Sequence, residues 1–187
     1  DISIDASSGV ISFNSAPDYE TQTSYTATVT VSDGTNSTTQ EITVSINNLN
    51  DNSPAISSNA TFSVDENETA VGYVVASDLD GDGISYSLYA ISAPLGGEQY
   101  SAFSIDEVTG YIEMNGTGAD YEERTSATAI VVASDGTNSV EQAITISIND
   151  VDDEAPTFTS NSEFSVDENQ TAIGTVTATD VDTDDSS

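Results

Sequence analysis

The sequence predicts an all-β chain of tandem Greek-key β-sandwiches with a repeat of about 102 residues. Three observations carry this. Motifs recur at a fixed offset, apolar residues alternate with Ser and Thr, and Gly-containing turns interrupt the alternation every ~8–12 residues. No segment carries an i, i+3, i+4, i+7 stripe long enough for a helix.

The offset is read directly. Asp18-Tyr19-Glu20 returns as Asp120-Tyr121-Glu122, and Ser32-Asp33-Gly34-Thr35-Asn36 as Ser134-Asp135-Gly136-Thr137-Asn138. Phe62-Ser63-Val64-Asp65-Glu66-Asn67 returns as Phe164-Ser165-Val166-Asp167-Glu168-Asn169, Asp78-Leu79-Asp80 as Asp180-Val181-Asp182, and Pro54 as Pro156. All these pairs lie 102 apart; only Ile4-Asp5 and Ile105-Asp106 lie 101 apart, so one residue was gained or lost in between. A period near 100 is a whole small domain that buries its own core. Phased by the prolines, 1–53 is the C-terminal part of one repeat, 54–155 is a complete repeat, and 156–187 is the N-terminal part of another. The chain therefore reads as a segment of a longer array.

In chain order, Ser8-Gly9 marks the first turn, and Tyr25, Ala27, Val29 and Val31 form the first clear alternating strand. Asp33-Gly34 turns it into a second strand with Ile42, Val44 and Ile46 on one face. Asp80-Gly81-Asp82-Gly83 marks a turn in the complete repeat that follows. Thr109-Gly110 marks a further turn. Asp135-Gly136 then leads into a strand with Ile144, Ile146 and Ile148.

Composition excludes several functions. There are 33 Asp+Glu against one basic residue, Arg124, for a formal net charge of -32, with no His, Cys or Trp. Such a chain repels phosphate backbones and anionic lipid, which excludes nucleic acid as a partner. Without Cys and His there is no Cys/His zinc site, thiol redox chemistry or His-based triad. No apolar run approaches 18 residues, so no membrane insertion is expected in this segment. The N-terminal stretch lacks the basic and apolar regions of a signal peptide. The 36% of apolar residues, regularly patterned, argue against disorder.

The acids concentrate between repeats. The first junction reads Asn48-Leu49-Asn50-Asp51-Asn52-Ser53-Pro54, and the second Asp150-Val151-Asp152-Asp153-Glu154-Ala155-Pro156. Carboxylates packed at a boundary repel unless a cation sits among them. Ligands that are all oxygen select a hard ion, and Ca2+ fits better than Mg2+ because it accepts six to eight oxygens in loose geometry.

These motifs resemble the cadherin repeat along the whole chain. The resemblance rests on the interdomain Asp-x-Asn-Asp-Asn-x-Pro, the x-Glu-Asn of the first strand, and the Asp-x-Asp after the second strand. An Asp-Arg-Glu-like motif, an Ala-x-Asp-x-Gly-like loop and the pair Phe103-Ser104-Ile105-Asp106 with Thr109-Gly110 and Ile112 complete it. Departures are visible: both copies read Asp-Tyr-Glu, Asn48 stands for the leading Asp, and Asp152 and Glu154 stand where the family has Asn. The loop Ala133-Ser134-Asp135-Gly136 is one residue short. Scarce Lys and abundant Ser and Thr are similar to the cadherin-like arrays of marine bacterial surface proteins.

The resemblance implies ligand sets drawn from the bottom of one repeat, the linker and the top of the next. For the first junction these are Asp18 and Glu20, then Asn50 and Asp51, then Asp78, Asp80 and Asp135, with the Leu49 and Asn52 carbonyls available. For the second they are Glu66, Asp120 and Glu122, then Asp152 and Asp153, then Asp180 and Asp182. Asp33 and Glu168 would serve junctions outside the chain.

Other features have plainer readings. Asp80-Gly81-Asp82-Gly83 has the start of an EF-hand loop, but position 12 from Asp78 is Tyr89 rather than Glu. Paired carboxylates also occur in glycosidases, yet no Trp platform or cleft-building insertion accompanies them. Residues 93–100 read as a surface loop open to a partner or sugar contact. The run from Asp182 to Asp185 reads equally as tail or partial site. Asn36, Asn59, Asn67, Asn115 and Asn169 begin Asn-x-Ser/Thr sequons.

The expected function is a non-enzymatic, calcium-rigidified extracellular segment of a cell-surface protein, adhesive or extending, with homophilic, protein or glycan partners. Alternatives are an extracellular filament subunit with strand-completed repeats, a carbohydrate-binding module, or a spacer within a secreted enzyme.

Overall fold

The computed structural model describes residues 1–92, 103–116 and 118–182, and every regular element in them is a strand, in accord with the all-β expectation. The stretch 93–100, the Thr of the Asn115 sequon and the acids at 184–185 lie outside the described residues. In order the strands are β1 (Ile2–Ile4), β2 (Ile11–Phe13), β3 (Ser24–Ser32), β4 (Ser37–Ser45), β5 (Ala55–Ile56), β6 (Thr61–Asp65), β7 (Ala70–Tyr73) and β8 (Ala76–Ser77). Then follow β9 (Ser85–Ser92), β10 (Phe103–Ile105), β11 (Tyr111–Met114), β12 (Ser126–Ser134), β13 (Ser139–Asn149), β14 (Thr157–Phe158) and β15 (Ala178–Thr179).

Two sheets make the central sandwich, one in the order β6-β13-β12-β9 and the other β10-β11-β7. Period-2 alternation creates the layer between them. On β12, Ala127, Ala129, Val131 and Ala133 face inward and are buried, while on β13 Ile144, Ile146 and Ile148 do the same. The small β12 side chains leave room for Phe103, Ile112 and Met114 of the other sheet in the same cluster. Burying a side chain such as Ile146 is worth about 1.5–3 kcal/mol.

The topology positions the acids. β6 pairs with β13 in parallel, from Thr61↔Thr145 to Asn149↔Asp65. That register carries Glu66 to the end where the chain leaves β13 for the second linker, with Glu66 N–H donating to Asn149 O at 3.0 Å. The β12–β13 hairpin turns at the opposite end, where Asp135 Oδ1 accepts from Thr137 N–H (2.7 Å) and Asn138 N–H (2.6 Å). The same turn joins β3 and β4, where Asp33 Oδ1 accepts from Thr35 and Asn36. Its glycine has a positive φ in both copies, 93° at Gly34 and 92° at Gly136.

Outside the central sandwich the ladders are two-stranded: β1-β2, β3-β4, β5-β8 and β14-β15. Residues 164–167 share the sequence of the first four of Phe62–Asn67 yet form no ladder. β6 is held by pairing with β13, and among the described residues no strand offers 164–167 that partner.

Candidate metal centres at the two junctions

At the first junction, ligand oxygens of Glu20, Asp51 and Asp80 lie within 4.8 Å of one another, as do those of Asp78, Asp80 and Asp82. Asp80 is the hub and is only 8% exposed. Its Oδ2 accepts from the backbone N–H groups of Asp51 (3.0 Å) and Asn52 (2.8 Å), and its Oδ1 accepts from Asn52 Nδ2 (2.8 Å). Asn48 Nδ2 donates to Asp80 O at 2.7 Å. Asn138 Nδ2 donates to Asn50 Oδ1 (3.1 Å) and to Asn52 O (2.9 Å), and Asn50 Nδ2 reaches Asp135 O at 3.4 Å. The Asn52 and Leu49 carbonyls thus each accept one internal bond, that of Leu49 from Asp51 N–H.

At the second junction, Glu66, Asp120 and Glu122 converge within 4.8 Å, and so do Glu122, Asp150 and Asp182. Glu66 is 3% exposed and anchors two segments: Oε2 accepts from Tyr121 N–H (2.8 Å) and Oε1 from Val151 N–H (2.7 Å). Asn67 Nδ2, on a residue of positive φ (62°), donates to Asp153 Oδ2. Asp182 is 6% exposed; its Oδ2 accepts from Glu154 N–H (3.0 Å), and its Oδ1 is buried with no hydrogen-bond partner among the described residues. A buried, uncompensated carboxylate oxygen is costly.

Carboxylate titration follows these surroundings. The Asn52 amide holds Asp80 below its ordinary value. Desolvation pushes Glu20 up, and the neighbouring Asp18 and Asp80 carboxylates add to it against a bond from its own N–H. A bond from its own N–H pulls Glu122 down, but desolvation and the charges of Glu66 and Asp182 carry it above the usual range. Asp135 is pushed up by desolvation and more than compensated by the N–H groups of Asn138 and Thr137.

Of the residues expected from the sequence, Glu20, Asp51, Asp80, Asp78, Glu66, Asp120, Glu122 and Asp182 fall into these convergent sets. Asn50 and Asp135 meet through backbone and amide bonds at the first junction. Asp18, Asp152, Asp153 and Asp180 lie outside the sets; Asp18 Oδ2 binds the Thr21 hydroxyl at 2.9 Å, and Asp180 Oδ1 accepts from Asp182 N–H at 3.2 Å. Three residues were missed: Asp82, Asp150 and Asn138. Asp150 was legible, because it sits 102 residues after Asn48 at the head of the linker motif. Nothing in the spacing distinguishes Asn138 from Asn36, whose Nδ2 has no counterpart junction to reach in the described residues.

No family model matches the chain. It is 34% identical over 174 residues to human protocadherin Fat 1, which covers 88% of this chain and 4% of that protein. It is 33% identical over 136 residues to chitinase A of Pseudoalteromonas piscicida, which covers 72% of this chain and 15% of that enzyme. Among solved structures, the EC1-3 segment of mouse protocadherin-24 aligns with a TM-score of 0.71 at 26% identity over 95% of this chain and 62% of that one. The human desmocollin-1 ectodomain aligns with a TM-score of 0.70 at 26% identity over 98% of this chain and 37% of that one. The chain spans between 3% and 5% of the length of the human protocadherins it matches. The setting of such repeats is extracellular, at the cell surface. With its sandwich topology, its linker motifs and these relatives, the chain is a stretch of cadherin-like repeats.

Proposed function

We propose that the acidic clusters at the two junctions bind Ca2+ and so fix the angle between adjacent repeats, making this segment a stiff, extending or adhesive part of a cell-surface protein. One observation carries the reading. Side chains from three separate segments, Glu122, Asp150 and Asp182, converge within 4.8 Å, and Asp182 carries a buried Oδ1 that no donor among the described residues satisfies. An all-oxygen, acid-rich donor set of this kind fits a hard divalent ion.

Bound calcium would supply positive charge that cancels the repulsion among these carboxylates. The chain does the rest. Glu66 ties the Asp120–Glu122 turn and the linker to one end of the sandwich through the N–H groups of Tyr121 and Val151. Glu154 N–H ties the same linker to Asp182 of the following repeat. The candidate ligands are Glu66, Asp120, Glu122, Asp150, Asp152, Asp153, Asp180 and Asp182 at the second junction. At the first they are Asp18, Glu20, Asn50, Asp51, Asp78, Asp80 and Asp135. Adhesion, through homophilic or other surface contacts, is taken from the kind of protein the relatives are.

Small-angle X-ray scattering in Ca2+ and in chelator tests the reading. A longer, stiffer particle in Ca2+ is expected, and an unchanged profile overturns it. A second reading is favoured by the partial match to chitinase A: the repeats act as a non-catalytic spacer in a secreted enzyme. Hydrolase activity in the full-length protein would favour that reading over the surface rod.

A further inference from the structure

The two junctions repeat one backbone geometry with different side chains. Asp80 N–H donates to Asp78 Oδ1 at 2.9 Å as Asp182 N–H does to Asp180 Oδ1 at 3.2 Å. Asn52 N–H donates to Asp80 Oδ2 at 2.8 Å as Glu154 N–H does to Asp182 Oδ2 at 3.0 Å. Consider the eight positions matched at an offset of 102. The second junction carries an acid at every one: 120, 122, 150, 152, 153, 154, 180 and 182. The first carries an acid at five, 18, 20, 51, 78 and 80, and Asn at 48, 50 and 52.

Those asparagines do what carboxylates cannot. Asn52 Nδ2 donates to Asp80 Oδ1 at 2.8 Å; a Glu154 carboxylate has no proton to give, and the matching oxygen, Asp182 Oδ1, is buried without a partner among the described residues. Asn48 Nδ2 donates to Asp80 O at 2.7 Å, whereas Asp150 converges with Glu122 and Asp182 instead. An amide satisfies a buried carboxylate without an ion, while extra carboxylates add repulsion that only a cation removes.

We infer that the first linker is pinned to the following repeat by its own asparagine amides even without calcium, whereas the second, tied there by the Glu154 N–H, is held firmly only when calcium is bound. Acids converge at both junctions, and Asp78 Oδ2 at the first is also buried without a partner among the described residues, so calcium acts at both; its control of stiffness is greater at the second, set by Asp150 and Glu154 against Asn48 and Asn52. This rests on the reading of the junctions as calcium sites. The added carboxylates also give the second junction the higher affinity, by about tenfold or more, because ligand charge tunes calcium binding.

The chain lacks cysteine, so introduced pairs are unique spin-label sites. Thr26→Cys with Ala55→Cys spans the first junction, and Thr128→Cys with Thr157→Cys spans the second; all four positions are exposed and match at 102. Pulsed electron–electron resonance distances are measured in Ca2+ and in chelator, with calcium uptake followed by calorimetry. On chelation the first distribution should keep its width to within about 1.5-fold while the second broadens at least about twofold. Asn48→Asp with Asn52→Glu should make the first pair calcium-dependent, and Asp150→Asn with Glu154→Asn should remove that dependence from the second. Equal broadening of both pairs, or a second pair as narrow in chelator as in Ca2+ despite calcium uptake, overturns this inference and leaves the calcium sites standing. No uptake and no change in either pair overturns the calcium reading itself, and this inference with it.

Discussion

Replacing Glu66 by Ala separates a structural latch from an ion ligand. Glu66 is 3% exposed and accepts two backbone N–H bonds, from Tyr121 at 2.8 Å and Val151 at 2.7 Å. Removing the carboxylate strands both donors, and at about 1.5–3 kcal/mol per bond to a charged group the loss is about 3–6 kcal/mol. A second effect opposes it. Glu66 lies within 4.8 Å of Glu122 and Asp120. One like-charge pair at that separation costs about 3.5 kcal/mol at an effective dielectric constant of ~20, less in salt. In chelator the two effects largely cancel, so Glu66→Ala should change unfolding stability by no more than about 2 kcal/mol. In Ca2+ the repulsion is already removed and the variant also loses a ligand, so the cost should reach at least about 3 kcal/mol. Urea unfolding of both proteins, with and without Ca2+, gives the four values. An equal loss in both conditions would show that Glu66 is only a latch and has no part in a calcium site.

Further predictions follow from the same structure. Ile146→Ala, which empties a fully buried position on β13, should cost about 2–5 kcal/mol and lower the urea midpoint without changing the slope. Gly110→Ala should cost about 2–4 kcal/mol, because φ is +70° and an added Cβ would collide with the Val74 carbonyl oxygen; a thermal melt within 1 °C of the parent would refute the packing. Asp106 is held below its ordinary value by the Thr109 hydroxyl, then by the Thr109 and Val108 N–H groups. Its folded pKa is depressed, so its stabilisation is present above the ordinary carboxylate value and lost as pH falls through the folded one. Asp106→Asn should flatten the melting temperature's dependence on pH below the ordinary carboxylate value, relative to the parent. Ca2+ at 100 times its dissociation constant should raise stability by about 2.7 kcal/mol for each site, read as a calcium-dependent melting temperature.

The fold was legible wherever alternation ran long. β3, β4 and β13 follow directly from Tyr25 to Val31, from Ile42 to Val44 and from Ile144 to Ile148, because a period of two has only one way to bury a face. What alternation hid was pairing. The segment 164–167 reads as a strand by its likeness to Phe62–Asp65, yet a strand is a relation between two chains and its partner is supplied by tertiary structure. The site divides along the same line. Most junction acids that recur at 102 residues converge, since recurrence marks position, but Asp18, Asp153 and Asp180 do not. Asn138 was missed, because its part is to donate an amide proton to a distant linker carbonyl, and nothing local in Ser134–Asn138 announces that.

The parallel pairing of β6 with β13 explains why the charges gather where they do. Antiparallel pairing would set the end of β6 beside the start of β13, at the pole away from the outgoing linker; the parallel pair brings Asp65 beside Asn149, so Glu66 meets the linker its own repeat is about to enter. Meanwhile the β12–β13 turn and the Asp78–Asp80 loop sit at the other pole, where the preceding linker arrives. Each repeat thus presents acids at both poles, and stacking any two brings both sets together. One guanidinium among 33 carboxylates cannot neutralise them from within. Compactness at a junction therefore comes either from neutral amides, as at Asn48 and Asn52, or from cations out of solution, as we propose for the Glu122–Asp150–Asp182 convergence. A single chain holds amides at the first junction and carboxylates at the matching positions of the second, so exchanging them between 48 and 150, and between 52 and 154, tests the difference within one fold.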